Sequence, residues 1–350
     1  MDGLKGGARM AVGSLPMMDP QEAIRFQLNA FPEVPSWPQM PRRSSREKMN
    51  LQGISRIPGL AWPEPEQPIW TLSTDDIPEV LEALKSETHL ERAAFKPEEA
   101  AGFHAFLGER DSRAFKKAQA LKGQCAGPVT LGLTIQDEKG QPLLASKEGM
   151  TVLVQYLLSH ARWQTRELQN LHPQVLFFLD EPSLGSDFNP SVFGLQWKDV
   201  HAWLKEILEP LQGEGVVTGI HCCGKGPWNW VSETPQEIFH FDAYNHISHL
   251  LEGAREFKDF LHKGGMVVWG IVPTGLENGR FPDVADLLQK WDNAFEKLAQ
   301  IGVPRTELIE RSFFSTSCGL GNSTDSVTKE AVKCLELFIS HWRSIYSTKR

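Results

Sequence analysis

The run Val175-Leu-Phe-Phe-Leu179 is apolar at every position and ends in the triplet Asp180-Glu181-Pro182. A strand with one solvent-exposed face alternates apolar and polar residues, whereas a strand of a parallel sheet is covered on both faces and is apolar throughout. The segment Gly264–Trp269 has the same continuous apolar character after its two glycines. Both segments therefore predict buried strands of a parallel sheet.

Similar runs alternate with helical patterns along the whole chain. The eight predicted strands are Met10–Val12, Leu60–Trp62, Pro128–Leu133, Val175–Leu179, Val216–Ile220, Ile238–Phe241, Met266–Trp269 and Phe313–Ser315. The clearest predicted helices, in which apolar residues recur every three to four positions, are Gly149–Leu171, Leu195–Leu211, Val284–Ile301 and Thr328–Ile345. This alternation predicts an α/β fold, and its eight repeats predict a single (β/α)8 barrel.

Two stretches interrupt the alternation and are expected to be irregular insertions into the barrel. Residues 31–57 are rich in Pro, Arg and Ser and predict a long loop after the first helix, while residues 63–120 predict an extended segment with small helices. No stretch of the sequence has the composition of a flexible linker, and no internal repeat is visible. We therefore expect residues 1–350 to form one catalytic domain.

The net charge excludes one class of partner. The chain has 350 residues, a net charge of -8 and 23% charged residues, whereas binding to nucleic acid requires a concentrated basic face. The short basic run Arg42, Arg43 and Arg46 is too small to provide such a face and is expected to be a solvated loop. No nucleic-acid partner is therefore expected.

The apolar and cysteine patterns indicate the compartment. No segment reaches the about 18 to 20 uninterrupted apolar residues of a membrane helix, and the N-terminus lacks the pattern of a secretory signal. We therefore expect a cytoplasmic protein without a membrane partner. The five cysteines are an odd number in a chain too large to need disulfides, which favours metal or thiol chemistry in a reducing compartment.

A histidine and a cysteine two positions apart follow the fifth predicted strand. Because alternate residues of an extended chain project to the same side, His221 and Cys223 can share a metal ion, and Cys222 should face away. Taken alone, such a string is compatible with a buried core as well as with a metal site. Cys318 follows the strand Phe313–Ser315, and in a barrel the ends of all strands meet at one rim. One His and two Cys at that rim favour a catalytic zinc site.

Two thiolate ligands would give this zinc a particular chemistry. They donate so much charge that the ion activates water poorly, but it can hold a substrate thiol as a thiolate at neutral pH. Hydrolytic zinc sites more often combine histidines with carboxylates. The ligand set therefore predicts alkyl transfer to sulfur.

Other polar residues lie at predicted strand ends or in the first loop. Asp180 and Glu181 could bind a substrate ammonium group or act as a general acid or base, but Asp180 could equally cap the following turn. Asp242 could supply a fourth zinc ligand or orient His221. Ser14 offers a hydroxyl group in the loop after the first predicted strand.

Together these motifs resemble the C-terminal catalytic domain of cobalamin-independent methionine synthase, in the uroporphyrinogen decarboxylase-like barrel superfamily. The resemblance extends in the family's order along nearly the whole chain. The matching motifs are Gly13-Ser14-Leu15-Pro16, Gly127-Pro128-Val129-Thr130, Asp180-Glu181-Pro182, His221-x-Cys223 and Cys318-Gly319-Leu320. The resemblance implies that His221, Cys223 and Cys318 are zinc ligands and that a thiol substrate binds the zinc.

The resemblance also implies substrate contacts, and the sequence departs from the family at two places. Ser14 and Asp180 correspond to family residues that contact the amino acid acceptor. Asp242 is the nearest counterpart of a glutamate that is the fourth zinc ligand in the family. In the region where the family has a glutamate that binds the amino group of homocysteine, this sequence has Trp37-Pro38-Gln39-Met40-Pro41 instead.

The sequence therefore predicts a zinc-dependent methyltransferase. The resemblance implies that the methyl group comes from a methyl-corrinoid or a methyltetrahydrofolate-type donor and passes to a small thiol such as homocysteine. Asp180 and Glu181 are the predicted catalytic residues, and Ser14 and Asp180 are the predicted substrate residues. The predicted zinc ligands are His221, Cys223, Cys318 and Asp242. Two alternatives remain open: a uroporphyrinogen decarboxylase-like enzyme, and a non-catalytic protein that handles zinc or a corrinoid.

Overall fold

The main sheet of the protein consists of six parallel strands that are neighbours in the order in which they occur along the chain. The computed structural model describes residues 3–61, 69–72, 74–84, 88–185, 187–226 and 228–346. The strands are β1 Leu121–Ala126, β2 Val175–Asp180, β3 Val217–Cys222, β4 Ile238–Phe241, β5 Met266–Val272 and β6 Ser312–Thr316. Parallel neighbours that are consecutive in sequence require crossover connections, as in repeated βαβ units.

Helices supply most of these crossovers. In the described part of the chain the α-helices are Pro20–Ala30, Ile77–Leu84, Thr88–Arg92, Ala101–Gly108, Arg113–Lys117, Pro128–Thr134, Lys147–Gln169, Trp197–Gly213, Ala243–Glu252, Ala254–His262, Val284–Gln300, Arg305–Glu310 and Asp325–Tyr346. The longest, Lys147–Gln169, begins after Ser146, whose hydroxyl accepts a hydrogen bond from the Gly149 amide at 3.0 Å. Its buried stripe packs on β1 and β2. No helix formed by the described residues combines the length and the apolar character needed to cross a membrane.

A small second sheet lies outside the main one. It contains the two-residue strands Leu60–Ala61, Ile69–Trp70 and Gln136–Asp137. The first pair is antiparallel and the second pair is parallel.

The main sheet has two distinct faces because side chains alternate along each strand. One face packs on the helices. The side chains of the other face form a separate apolar cluster of Ala8, Met10, Val34, Ala120, Leu176, Phe178, Val217, Ile238, Met266, Val268 and Phe313. The register then pairs Asp180 with His221 and His221 with His240. Three polar side chains therefore stand side by side where the strands end.

Two N-terminal segments contact the outer strands of the main sheet through their backbones. Single parallel bridges join Arg9 to Phe314 of β6, Met10 to Val34, and Ser36 to Lys122 of β1. Each outer strand therefore has a neighbouring segment on its open edge.

The prediction of a strand at Pro128–Leu133 is wrong, because this segment is the helix Pro128–Thr134. The proline stands in the first turn, where a missing N–H group costs nothing. The carboxylate of Glu181 accepts hydrogen bonds from the first free amides of the helix. The strand lies just before it, in β1, which the sequence did not predict.

Two further predicted strands differ from the structure. In Met10–Val12, Met10 forms one isolated bridge, to Val34, and the segment is not a continuous strand. In Leu60–Trp62, the residues Leu60–Ala61 belong to the small sheet, and Trp62 lies outside the described residues.

The remaining predictions of secondary structure agree with the model. Strands β2 to β6 confirm the other five predicted strands, and the four predicted helices are present with bounds shifted by a few residues. The α/β class is therefore confirmed. Residues 31–57 contain the 3-10 helices Ser45–Glu47 and Ile54–Arg56, and the described part of 63–120 contains four of the short helices given above.

Candidate functional site

A cavity of about 420 Å³ opens where the strands of the main sheet end. In parallel sheets, ligand sites lie at the carboxyl ends of the strands, because the connecting loops converge there. The predicted site residues that line this cavity are Ser14, Asp180, His221, Cys223 and Cys318. The structure thus brings together residues that are separated by as much as three hundred positions in sequence.

Three of these residues form a cluster suited to a metal ion. One ligand atom each from His221, Cys223 and Cys318 lies within 4.8 Å of the others, and the two Sγ atoms are 3.5 Å apart. Thiolates on one tetrahedral zinc ion, at about 2.3 Å from the metal, would be about 3.8 Å apart. A buried imidazole normally has a hydrogen-bond partner, but neither ring nitrogen of His221 has one among the described residues. The donor set and its orphaned nitrogens therefore fit a zinc ion.

A hydrogen bond joins the two thiols of the cluster. The hydrogen bond that they share lowers the pKa of the Cys318 thiol, and His221 lowers it further against the opposing effect of burial. The same hydrogen bond, together with burial, raises the pKa of Cys223. Cys318 is therefore the more acidic of the two thiols.

A second buried histidine, His240, packs against His221. The rings of His240 and His221 lie 4.3 Å apart between centroids. His240 Nε2 is 2.7 Å from the hydroxyl oxygen of Ser315, and burial lowers the pKa of His240 well below its usual value. This ring is therefore neutral and packs against His221 without adding charge to the cluster.

Asp180 lines the cavity, and one of its carboxylate oxygens is left without a hydrogen-bond partner among the described residues. This oxygen, Oδ1, is buried. Burial raises the pKa of Asp180 to about 6, although Lys122 and His221 oppose this effect. An unpaired buried acceptor of this kind is suited to a donor group on a ligand.

Lys122 provides a positive charge beneath the cavity that the sequence did not reveal. Its side chain is fully buried, and Nζ donates to the Val12 carbonyl at 2.7 Å and to Gln124 Oε1 at 3.2 Å. Burial lowers the pKa of Lys122 to about 8, and the nearby Asp180 carboxylate opposes this shift. Lys122 therefore remains mostly charged at neutral pH and partly balances Asp180.

Glu181 faces the opposite side of the sheet from Asp180. Its carboxylate accepts hydrogen bonds from the Val129 and Thr130 amides, each at 2.8 Å, and from the Thr130 hydroxyl at 2.6 Å. Burial raises the pKa of Glu181 to about 7, against the effect of these hydrogen bonds. The contacts describe a cap for the helix Pro128–Thr134, and the predicted catalytic role of Glu181 stays a prediction.

The structure does not bring Asp242 into the metal cluster. Asp242 caps the helix Ala243–Glu252: one oxygen accepts from the Asn245 amide at 2.9 Å and the other from Asn245 Nδ2 at 2.7 Å. Burial raises the pKa of Asp242, and these hydrogen bonds oppose the effect. With both oxygens engaged, Asp242 is placed as a capping residue beside the site.

Ser14 joins the first loop to the loop that follows Cys318. Its hydroxyl accepts a hydrogen bond from the Gly321 amide at 3.2 Å, and its carbonyl accepts one from the Leu320 amide at 3.0 Å. A Cβ atom on Gly319 would lie 2.1 Å from Ser14 Oγ, so only glycine fits at this contact. Ser14 therefore helps to fix the turn that carries Cys318.

The fold is shared with solved structures of methyltransferases. No protein-family model and no curated protein sequence matches the chain. A B12-independent methionine synthase from Shewanella sp. W3-18-1, solved in complex with selenomethionine, aligns at 15% identity with a TM-score of 0.50, covering 83% of this chain and 95% of that one.

A methyltransferase from Methanosarcina mazei aligns at 13% identity with a TM-score of 0.51, covering 98% of this chain and 95% of that one. At these identities the likeness shows the fold. The fold that the motif resemblance implies is thus shared with these two solved structures.

Proposed function

We propose that residues 1–350 form one catalytic domain in which the main sheet closes into a (β/α)8 barrel. The single bridges of the N-terminal segments to β1 and β6 support this closure. A second support is the apolar cluster, because Met10 and Val34 pack there with side chains from the main sheet. Such a barrel places its catalytic residues at the carboxyl ends of the strands.

We propose that the protein is a zinc-dependent methyltransferase that methylates a small thiol. The observation that carries this proposal is the cluster of His221, Cys223 and Cys318 on the wall of the cavity. The fold likeness to a B12-independent methionine synthase and to a methyltransferase supports the same class of reaction. A corrinoid or a methylated tetrahydrofolate is the proposed donor, and homocysteine is the first acceptor to test.

The three residues of the cluster would hold the zinc ion, which would supply the Lewis acidity that keeps an acceptor thiol deprotonated at neutral pH. The protein contributes the rest. The neutral His240 packs against His221 and limits the orientations of its ring. Asp180 binds a donor group of the acceptor through its unpaired oxygen. Ser14 fixes the Cys318 turn. The positioning of the acceptor sulfur against the donor methyl group then lowers the entropy cost of transfer.

The test is methylation of homocysteine by reduced, zinc-loaded protein, with methylcobalamin and methyltetrahydrofolate as separate donors and mass spectrometry as the readout. We expect methionine to form with one of the donors. The activity should disappear in Cys223→Ser and persist in Cys334→Ser, which changes a buried free cysteine on the helix Asp325–Tyr346. Bound zinc without methylation of any thiol would instead favour a zinc-handling protein.

A further inference from the structure

Gln39 lies on the cavity wall and is held by the first loop on both sides of its backbone. Its amide donates to the Gly13 carbonyl at 3.1 Å, and its carbonyl accepts from the Leu15 amide at 2.8 Å. The side chain is nearly buried, with 8% of its surface exposed, and the residue lines the same cavity as Asp180. Gln39 is therefore fixed in position beside Ser14.

A chain of hydrogen bonds also fixes which end of the Gln39 amide is free. A backbone carbonyl can only accept a hydrogen bond. Because Gln52 Nε2 donates to the Glu99 carbonyl at 2.8 Å, the oxygen of Gln52 is left to accept. It accepts from Gln39 Nε2 at 2.6 Å, so the Gln39 oxygen, Oε1, is left without a hydrogen-bond partner in the part of the chain that the structure describes. The Glu99 carbonyl thus determines the orientation of the side-chain amides of Gln52 and Gln39.

The direction of the hydrogen bonds from Gln39 to Gln52 and from Gln52 to Glu99 cannot readily be reversed. Gln52 is buried, with 7% of its surface exposed, and Glu99 is buried with 2% exposed. The Glu99 side chain accepts hydrogen bonds from the Ser55 hydroxyl and from the Lys96 amide. A flipped Gln52 would set its oxygen against the Glu99 carbonyl and its NH2 group against the NH2 group of Gln39, leaving buried donors and acceptors unpaired.

We infer that Gln52 is a positioning residue for substrate specificity, which acts by holding Gln39 Oε1 as a neutral hydrogen-bond acceptor on the cavity wall. Asp180 lines the same cavity and also has a carboxylate oxygen without a hydrogen-bond partner among the described residues. The site therefore selects an acceptor thiol that carries an N–H or O–H donor group. Gln39 adds no charge, so this donor group need not be cationic. The inference rests on the proposed function, because it assumes that the cavity holds a thiol.

The test compares two neutral thiols of equal size, 3-mercapto-1-propanol and 1-butanethiol, which differ by a hydroxyl in place of a methyl group. Their dissociation constants are measured by calorimetry on zinc-loaded wild type, Gln52→Leu, Gln39→Leu and the double variant. The readout is the affinity for the alcohol relative to that for the alkane thiol. A general loss of protein stability lowers the affinity for both thiols equally and leaves the ratio of the two affinities unchanged.

We expect Gln52→Leu to lower the ratio about fivefold to tenfold, the contribution of one neutral hydrogen bond. Gln39→Leu should lower it as much, and the double variant should lower it no further, because Gln52 acts through Gln39. The matched control is Gln236→Leu, which removes a buried amide that donates to the Val231 carbonyl, and it should leave the ratio unchanged.

An unchanged ratio in Gln52→Leu would overturn the inference while leaving the proposed function intact. An additive loss in the double variant would show that Gln52 acts independently of Gln39, which also overturns it. Failure of both thiols to bind wild-type protein would refute the thiol site itself, and the inference with it.

Discussion

Replacing Glu181 by alanine should destabilise the protein through the helix Pro128–Thr134. At pH 8 the carboxylate is ionised, because its pKa is raised only to about 7, and it accepts three hydrogen bonds. Hydrogen bonds to a charged group contribute about 1.5–3 kcal/mol each, so the three together contribute about 4.5–9 kcal/mol. Removing the buried charge relieves part of its desolvation cost. We therefore expect the free energy of unfolding to fall by about 3 kcal/mol.

Urea unfolding at pH 8, followed by tryptophan fluorescence, measures this loss. In Glu181→Gln the free energy of unfolding should fall less, by about 1–2 kcal/mol, because the glutamine keeps one acceptor oxygen but sets an NH2 group against the helix amides. The control is Glu148→Ala, an exposed acid in the first turn of Lys147–Gln169, which should change stability by less than about 0.5 kcal/mol. A loss below about 1 kcal/mol in Glu181→Ala would refute the capping role. If Glu181→Gln kept full stability but lost methyl transfer, a catalytic role would be favoured instead.

Three further variants or conditions test other contacts. Between pH 4.5 and 7 the stability of wild type relative to Glu181→Gln should fall as pH rises, because the pKa of Glu181 is raised to about 7 in the folded state, so folded wild type binds more protons at this residue than its unfolded chain does. Buried histidines such as His240, whose pKa is lowered, contribute with the opposite sign in both proteins and cancel in this difference. Equilibrium denaturation of both proteins across this range measures it. Gly319→Ala should weaken zinc binding measured by equilibrium dialysis, since the new methyl group collides with Ser14. Ser14→Gly in the same chain should restore part of the affinity, because it removes the collision but also the acceptor of the Gly321 amide. Lys122→Met should lower the free energy of unfolding by about 2 kcal/mol, because two buried oxygens lose their donor, and a thermal melt matching wild type would contradict this.

The metal cluster could be predicted from sequence because its ligands lie directly at strand ends. His221 is part of β3, with Cys223 two positions beyond it, and Cys318 follows β6 closely. Period-two alternation places the first two on one side. Strand β1 was missed because it contains the polar residues Lys122 and Gln124, which contact each other. They interrupt the continuous apolar run that marks the other buried strands.

Particular hydrogen bonds explain the other differences between the sequence-based expectations and the structure. The apolar segment Pro128–Leu133 has the composition of a strand, but a carboxylate fifty residues away caps it as a helix. The pairing of Gln39 with Gln52 leaves no periodic signal, since neutral amides occur at many exposed positions. Asp242 was predicted from its place after β4, but the local hydrogen bonds to Asn245 decide where its oxygens point.

The zinc content of the reduced protein tests the central claim most directly. Elemental analysis of wild type, Cys318→Ser and the control Cys334→Ser should give about one zinc per chain for wild type and control. Cys318→Ser should keep its fold, measured by circular dichroism, and lose most of the metal, because one of the three clustered ligand atoms is gone. Equal zinc in all three proteins, or none in any after anaerobic reconstitution, would contradict a zinc site built from His221, Cys223 and Cys318.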